Sequence, residues 1–227
     1  MNITILGVGD VGTALAPLFA AAGHQVLLAS RRSRQELAGH GLAELLSQPN
    51  VTAGGVPGSA ASADLMLLSV PYGGAEAALA EVGDLTGRIV VDATNFNHGR
   101  DGDAADPGPG GTTTVLAERY PQARWVKSFN MLWAGWLRTD ARPAERADRA
   151  VLLAADDDNA KTIVAHLIKQ CGFVPFDTGG LADAASRQLE GTPAWNQRLT
   201  AEQAAQLLPD APGARSPRSP ASTSTTA

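Results

Sequence analysis

Residues 7–12 read GVGDVG and residues 29–32 read ASRR. Glycines spaced in the first way leave room for a phosphate group. Gly7 permits a tight turn, Gly9 lets backbone approach a pyrophosphate, and Gly12 lets a following helix pack closely on the preceding strand. The N-terminus of that helix would then present free N–H groups and a positive dipole end to the anion. The second stretch falls where a dinucleotide cradle with an acidic residue would bind unmodified ribose hydroxyls. Here Ser30, Arg31 and Arg32 occupy that place. An acid would repel a 2′-phosphate, whereas a hydroxyl and two guanidiniums bind one through charge-assisted hydrogen bonds. The pair of motifs therefore predicts an NADP(H) site rather than an NAD site.

A cradle functions only if a strand enters it and a helix leaves it. Nearly continuous apolar runs at 3–6, 25–29, 65–70, 89–93, 125–129 and 151–154 predict strands of a parallel sheet covered on both faces. Stretches 12–22, 34–46, 74–82 and 113–120 predict helices between them. This alternation predicts an α/β, doubly wound sheet of Rossmann type. A later helix is expected over 158–171, where Ile163, Val164, Leu167, Ile168 and Cys171 form one stripe. Asp156, Asp157 and Asp158 at its start suit capping and the helix dipole, so no metal is needed to explain them. A last helix over 200–208 opens with Thr200, Glu202 and Gln203 in a capping-box pattern. From Pro209 to Ala227 the chain is rich in Pro, Ser and Thr and has no large apolar residue. A disordered tail is expected there, following a single domain over 1–208 with a short C-terminal helical extension.

Ligands in such sheets lie outside the carboxyl ends of the strands. Three ends carry candidate contacts: Ser69, Val70 and Pro71; the DATNFN run over 92–97, with Asn95; and Asn130 with Met131, close to Trp133 and Trp136. No general acid or nucleophile stands out, and the catalytic residues are left unassigned. His98 could face the site but sits in a loop beside glycine. Lys127 could reach an anion, or its ammonium could extend past the sheet edge.

The composition sets the class. The chain has 227 residues, 44% hydrophobic and 18% charged, with a formal net charge of −5. That is enough to bury a core, and the acidic balance argues against a general nucleic-acid binder. Cys171 is the only cysteine, which excludes an internal disulfide framework and a cysteine-cluster metal site. No apolar run reaches the length of a membrane span, and the start lacks a signal-peptide pattern. The expectation is a soluble, cytoplasmic protein whose partner is a small-molecule electron acceptor or donor, with no nucleic acid and no membrane. The sequence allows a homodimer without specifying the oligomeric state.

GVGDVGTALAPLFAAAGHQVLLASR, SVP, DATN, ARWVKSFN, GFVPFDTG, EGTPAW and QRLTAEQA, in this order, resemble the bacterial NADPH-dependent F420 reductase family over residues 1–208. A more distant similarity is to the N-terminal domain of pyrroline-5-carboxylate reductases. The family resemblance implies hydride exchange between NADPH and a deazaflavin-type cofactor, with coenzyme F420 as second substrate. It implies that Gly7, Val8, Gly9, Asp10, Val11 and Gly12 hold the pyrophosphate. It assigns the 2′-phosphate to Ser30 and Arg31, with Arg32 assisting. Val70, Pro71, Asn130 and Met131 would line the nicotinamide side. Two regions depart from the family: the loop over 97–111 is long and Gly/Asp/Pro-rich, and 179–208 is shorter than the C-terminal lobe of archaeal members.

The residues leave three functions open. One is an NADPH-dependent reductase of F420 or another flavin-like acceptor. The second reduces a small imine or carbonyl compound, for which the sequence offers only poor proton donors. The third is a non-catalytic NADP-binding regulator.

Overall fold

The computed structural model describes residues 1–215. Its strands are β1 (Asn2–Leu6), β2 (Gln25–Ala29), β3 (Val51–Gly54), β4 (Leu65–Leu68), β5 (Ile89–Asp92), β6 (Arg124–Ser128), β7 (Ala150–Ala154) and β8 (Val174–Asp177). Its helices are α1 (Asp10–Ala21), α2 (Arg34–Leu37), α3 (Ala43–Ser47), α4 (Ala75–Glu81), α5 (Gly111–Arg119), α6 (Ala134–Thr139), α7 (Asp158–Gln170), α8 (Leu181–Arg187) and α9 (Ala201–Leu207). The strands form one sheet in the order β3-β2-β1-β4-β5-β6-β7-β8. Neighbours are parallel except β6 and β7. This is the doubly wound Rossmann-type fold that the alternating pattern predicts.

Strand residues alternate between two cores. Ile3, Ile5, Leu65 and Leu67 join Leu15 and Phe19 of α1 and Val164 and Leu167 of α7 on one face. Leu6, Met66, Leu68 and Val90 join Leu79 of α4 and Leu116 of α5 on the other. Both faces are apolar because both are covered, which is why the strands read as continuous hydrophobic runs.

The register positions the site. Leu6 pairs with Ala29 on one side and Leu68 on the other, Leu68 with Asp92, and Asp92 with Lys127. Everything just beyond this row therefore emerges at one edge of the sheet: the glycine loop, Ser30, Ser69, Thr94 and the exit of β6.

Two expectations need correction, and four elements have no counterpart in the sequence pattern. The helix predicted over 34–46 is broken: α2 and α3 are separated by a wide turn over Ala38–Leu42, where Gly41 adopts φ +86°. β8, absent from the predicted strands, carries Pro175, which is tolerated because β8 is an edge strand. β3, α6 and α8 are also present without a strong periodic signal. Finally, the chain beyond Pro209 is packed as far as it is described. Ala211 is fully buried, and a Cβ on Gly213 would meet the Asp177 carbonyl oxygen at 2.8 Å. Small residues bury here by close backbone approach, which a search for bulky side chains overlooks. The remainder of the expected tail, 216–227, lies outside the described residues. Among the described residues, no helix is long and apolar enough to cross a membrane.

Candidate functional site

The glycine loop is locked to the end of β4. Gly7 has φ +105°, and a Cβ there would lie 2.7 Å from Val70 Cγ1 and 2.8 Å from the Ser69 carbonyl oxygen. The Ser69 hydroxyl donates to the Gly7 carbonyl at 2.8 Å. A Cβ on Gly12 would collide with the same Gly7 carbonyl. Gly9 differs: a Cβ would find nothing nearer than Ser69 O at 4.0 Å. Two of the glycines thus serve the protein's own packing, whereas Gly9 keeps space clear above the loop. Asp10 and Val11 open α1, whose first N–H groups have no intrahelical partner. That open space and those donors fit a pyrophosphate.

Arg138 of α6 joins the site without any signal in the sequence. Its Nη2 donates to the Asp10 carbonyl at 3.0 Å and to Thr13 Oγ1 at 2.8 Å, placing a cation beside the first turn of α1. At the end of β2, Ser30 Oγ accepts from the Arg32 N–H at 3.0 Å. Its hydroxyl proton remains available to an anion. Arg31 pairs with Glu81 at the end of α4, at 3.3 Å, with side chains 75% and 41% exposed. An exposed pair of this kind is weak and readily exchanged for a phosphate. Residues 30–32 follow the end of β2 beside the cradle at the end of β1, and their types fit a dinucleotide with a 2′-phosphate.

The strand ends beyond form a second polar group. Phe129 is buried with φ +60°, a strained conformation for a bulky residue, and packs edge to face on Phe19 at 6.3 Å. This turn brings Asn130 to Asn95. Asn95 Nδ2 donates to the Asn130 carbonyl at 2.8 Å, and Asn130 Nδ2 donates to Asn95 Oδ1 at 3.0 Å and to the Gln188 carbonyl at 2.7 Å. Asn130 Oδ1, Gln188 Oε1 and Thr94 Oγ1 are buried without a partner. Unpaired buried polar atoms are costly, and they mark a place suited to a polar ligand group.

Val70 is half-buried and Pro71 exposed, both on the same strand exit. Met131 departs from expectation. Its side chain is buried in a third core with Leu152, Phe176 and Ala211, and its carbonyl accepts from the Asn196 N–H at 3.0 Å. Its side chain belongs to that core. His98 lies on the surface loop, edge-on to Phe96 at 4.7 Å and 3.7 Å from Asp106.

Lys127 reaches inward. Its ammonium donates to Asp92 Oδ2 at 3.1 Å, to Thr112 Oγ1 at 2.9 Å and to the Thr94 carbonyl. Thr112 and Thr113 also donate to Asp92 Oδ2, at 3.1 and 2.5 Å. Burial pulls the lysine below its ordinary pKa, with Asp92 opposing that shift. The 97–111 loop is anchored by Asp101, which accepts from the Asn97 N–H at 2.7 Å and the Gly73 N–H at 3.1 Å. Burial raises its pKa, but hydrogen bonds from Arg100, Asn97 and Gly73 outweigh it and hold the carboxyl below the usual range.

A family model described as coenzyme F420-dependent NADP oxidoreductase matches residues 2–96. A solved protein from Arthrobacter sp. FB24, described as a candidate F420-dependent NADP reductase, is 30% identical. It aligns over 82% of this chain and 87% of its own, with a TM-score of 0.68. The chain belongs to the coenzyme F420-dependent NADP oxidoreductase family. By membership it is an NADP-dependent oxidoreductase. A hypothetical protein of Sinorhizobium meliloti is 31% identical, covering 88% of this chain and 95% of that one, with a TM-score of 0.75. The F420-dependent NADP reductase of Methanothermobacter thermautotrophicus is 29% identical over 196 residues, 81% of this chain and 83% of the relative. Rat metalloreductase STEAP3 is 28% identical over 199 residues, and the match spans only 36% of that longer protein.

Proposed function

We propose that this chain transfers hydride between NADP(H) and coenzyme F420 or a related flavin-like acceptor. The observation that carries the reading is the open position at Gly9, flanked by the α1 N-terminus and followed at the same sheet edge by Ser30, Arg31 and Arg32. When bound, the dinucleotide supplies a hydride, and the acceptor ring takes that electron pair with a solvent proton. The chain's residues bind and orient. Gly7, Val8, Gly9, Asp10, Val11 and Gly12 hold the pyrophosphate through backbone N–H groups. Ser30 and Arg31 hold the 2′-phosphate, with Arg32 assisting. Ser69, Val70, Pro71, Asn95 and Asn130 line the nicotinamide end, where amides and hydroxyls position rather than ionise. Transfer between two stacked rings draws its rate from proximity and alignment, not from a side-chain proton donor.

The test is oxidation of NADPH, followed at the nicotinamide absorbance band, with F420, FMN, FAD, ferric chelates and cyclic imines as acceptors. Turnover with F420 or a flavin is expected. Turnover with a cyclic imine alone would replace the reading with imine reduction. Tight NADPH binding without turnover would replace it with a nucleotide-responsive regulator.

A further inference from the structure

Trp133 is 62% exposed, more than any other large hydrophobic side chain among the described residues. Stability does not explain it, because an indole in water forgoes the burial that makes aromatic residues useful in a core. The chain nevertheless makes room for it. Gly135 lies in the first turn of α6, and a Cβ there would run into the six-membered ring of Trp133. Only glycine lets the indole lie down over the helix start, although glycine is a poor helix residue. Trp136 braces the indole edge to face, with centroids 6.1 Å apart and an interplanar angle of 86°. Trp136 is itself overlain by the Arg198 guanidinium at 5.6 Å, and Asp140 holds that arginine at 2.6 Å.

The location is as telling as the exposure. Trp133 caps α6 three residues beyond Asn130, at the exit of β6. Arg138 ties the same short helix to the first turn of α1. Trp133 therefore follows the strand-end residues directly in the chain and opens the helix that is tied to the glycine loop's helix α1.

We infer that Trp133 is the stacking platform on which the second substrate's ring is positioned. The inference rests on the acceptor reading above and adds a positioning residue to it. A flat ring gains offset stacking on a pre-positioned indole, while a small aliphatic imine gains little.

The experiment compares the full chain with Trp133→Ala and Trp133→Phe, using FMN and F420 as probes. Three readouts are taken: the affinity for NADPH, the KM for each ring in NADPH oxidation, and the quenching of tryptophan emission by each ring without NADPH. Trp133→Ala is expected to raise the KM for the rings about tenfold and leave NADPH affinity unchanged. It should also abolish most of the quenching. Trp133→Phe should restore most of the KM. Unchanged KM and quenching in Trp133→Ala, with ring turnover intact, would overturn the platform and leave the acceptor reading standing. A wild-type chain that binds NADPH but neither reduces nor is quenched by any ring would overturn the acceptor reading, and the platform with it.

Discussion

Lys127 Nζ lies 3.1 Å from Asp92 Oδ2, with the two side chains 2% and 0% exposed on adjacent, registered strands. The lysine also holds the Thr94 carbonyl, so the pair fixes the backbone immediately before Asn95. Removing one partner of a buried ion pair leaves the other uncompensated, at a cost of about 3–5 kcal/mol. Lys127→Met is therefore expected to lower unfolding free energy by roughly that amount, read from urea denaturation. Asp92→Asn in the same chain should recover part of the loss. A single-variant loss below about 1 kcal/mol would show that Thr112 and Thr113 alone satisfy Asp92.

Arg31 is the guanidinium most directly assigned to the 2′-phosphate. Arg31→Ala should weaken NADPH binding by about 1.5–3 kcal/mol and leave NADH nearly untouched. Because Glu81 pairs with Arg31 in the free chain, Glu81→Gln should act in the opposite sense, tightening NADPH by up to about 1 kcal/mol. Titration of both nucleotides against the three proteins decides it; equal losses for NADPH and NADH in Arg31→Ala would reassign the arginine.

Gly9→Val should fold and fail to bind. The nearest protein atom to a Cβ at this position is 4.0 Å away, and Gly9 has an extended backbone with φ of −91° that any residue adopts. The branched side chain would instead fill the space reserved for the pyrophosphate. Circular dichroism should be native while NADPH affinity collapses. Retained affinity in a folded variant would contradict the cradle.

Two truncations isolate the contribution of the packed 209–215 segment. Ending the chain after Leu208 removes Ala211 and the turn Pro212–Arg215, which cover Phe176 and Asp177 of β8. A fall in melting temperature of several degrees, equal to about 1 kcal/mol or more, is expected. Ending it after Arg215 keeps this packing and should leave the melting temperature near wild type. Identical melting behaviour of the two truncations would mean that the 209–215 segment contributes nothing.

Asp157 caps α7 through the Ala160 N–H at 2.8 Å and accepts two bonds from Arg124, at 2.7 and 2.9 Å. Arg124 first, and then the Ala160 N–H, hold its carboxyl well below the usual range. A depressed carboxylate contributes stability that is present above its unfolded pKa, about 4, and is lost as pH falls toward the folded value. Arg124→Met should therefore lower the melting temperature at pH 7, and its gap from wild type should narrow below about pH 4. A gap independent of pH would assign the effect of Arg124 to packing.

The sequence alone determined the alternating apolar runs, the glycine loop and the position of Ser30 and Arg31, because each depends on local geometry or short spacing. Thr200 and Gln203 form the capping box their spacing implies, for the same reason. Other features arise from segments distant in sequence and were decided only by tertiary structure. Glu81 reaches Arg31 across 50 residues, Lys127 turns inward to Asp92 across 35, and Arg138 meets α1 across 125 or more. Met131 looked like a site residue because it follows Asn130, yet the strained turn at Phe129 sends its side chain into the third core. Ala211 looked like tail because its methyl is small, and burial of small groups depends on what backbone comes near, which no local pattern records.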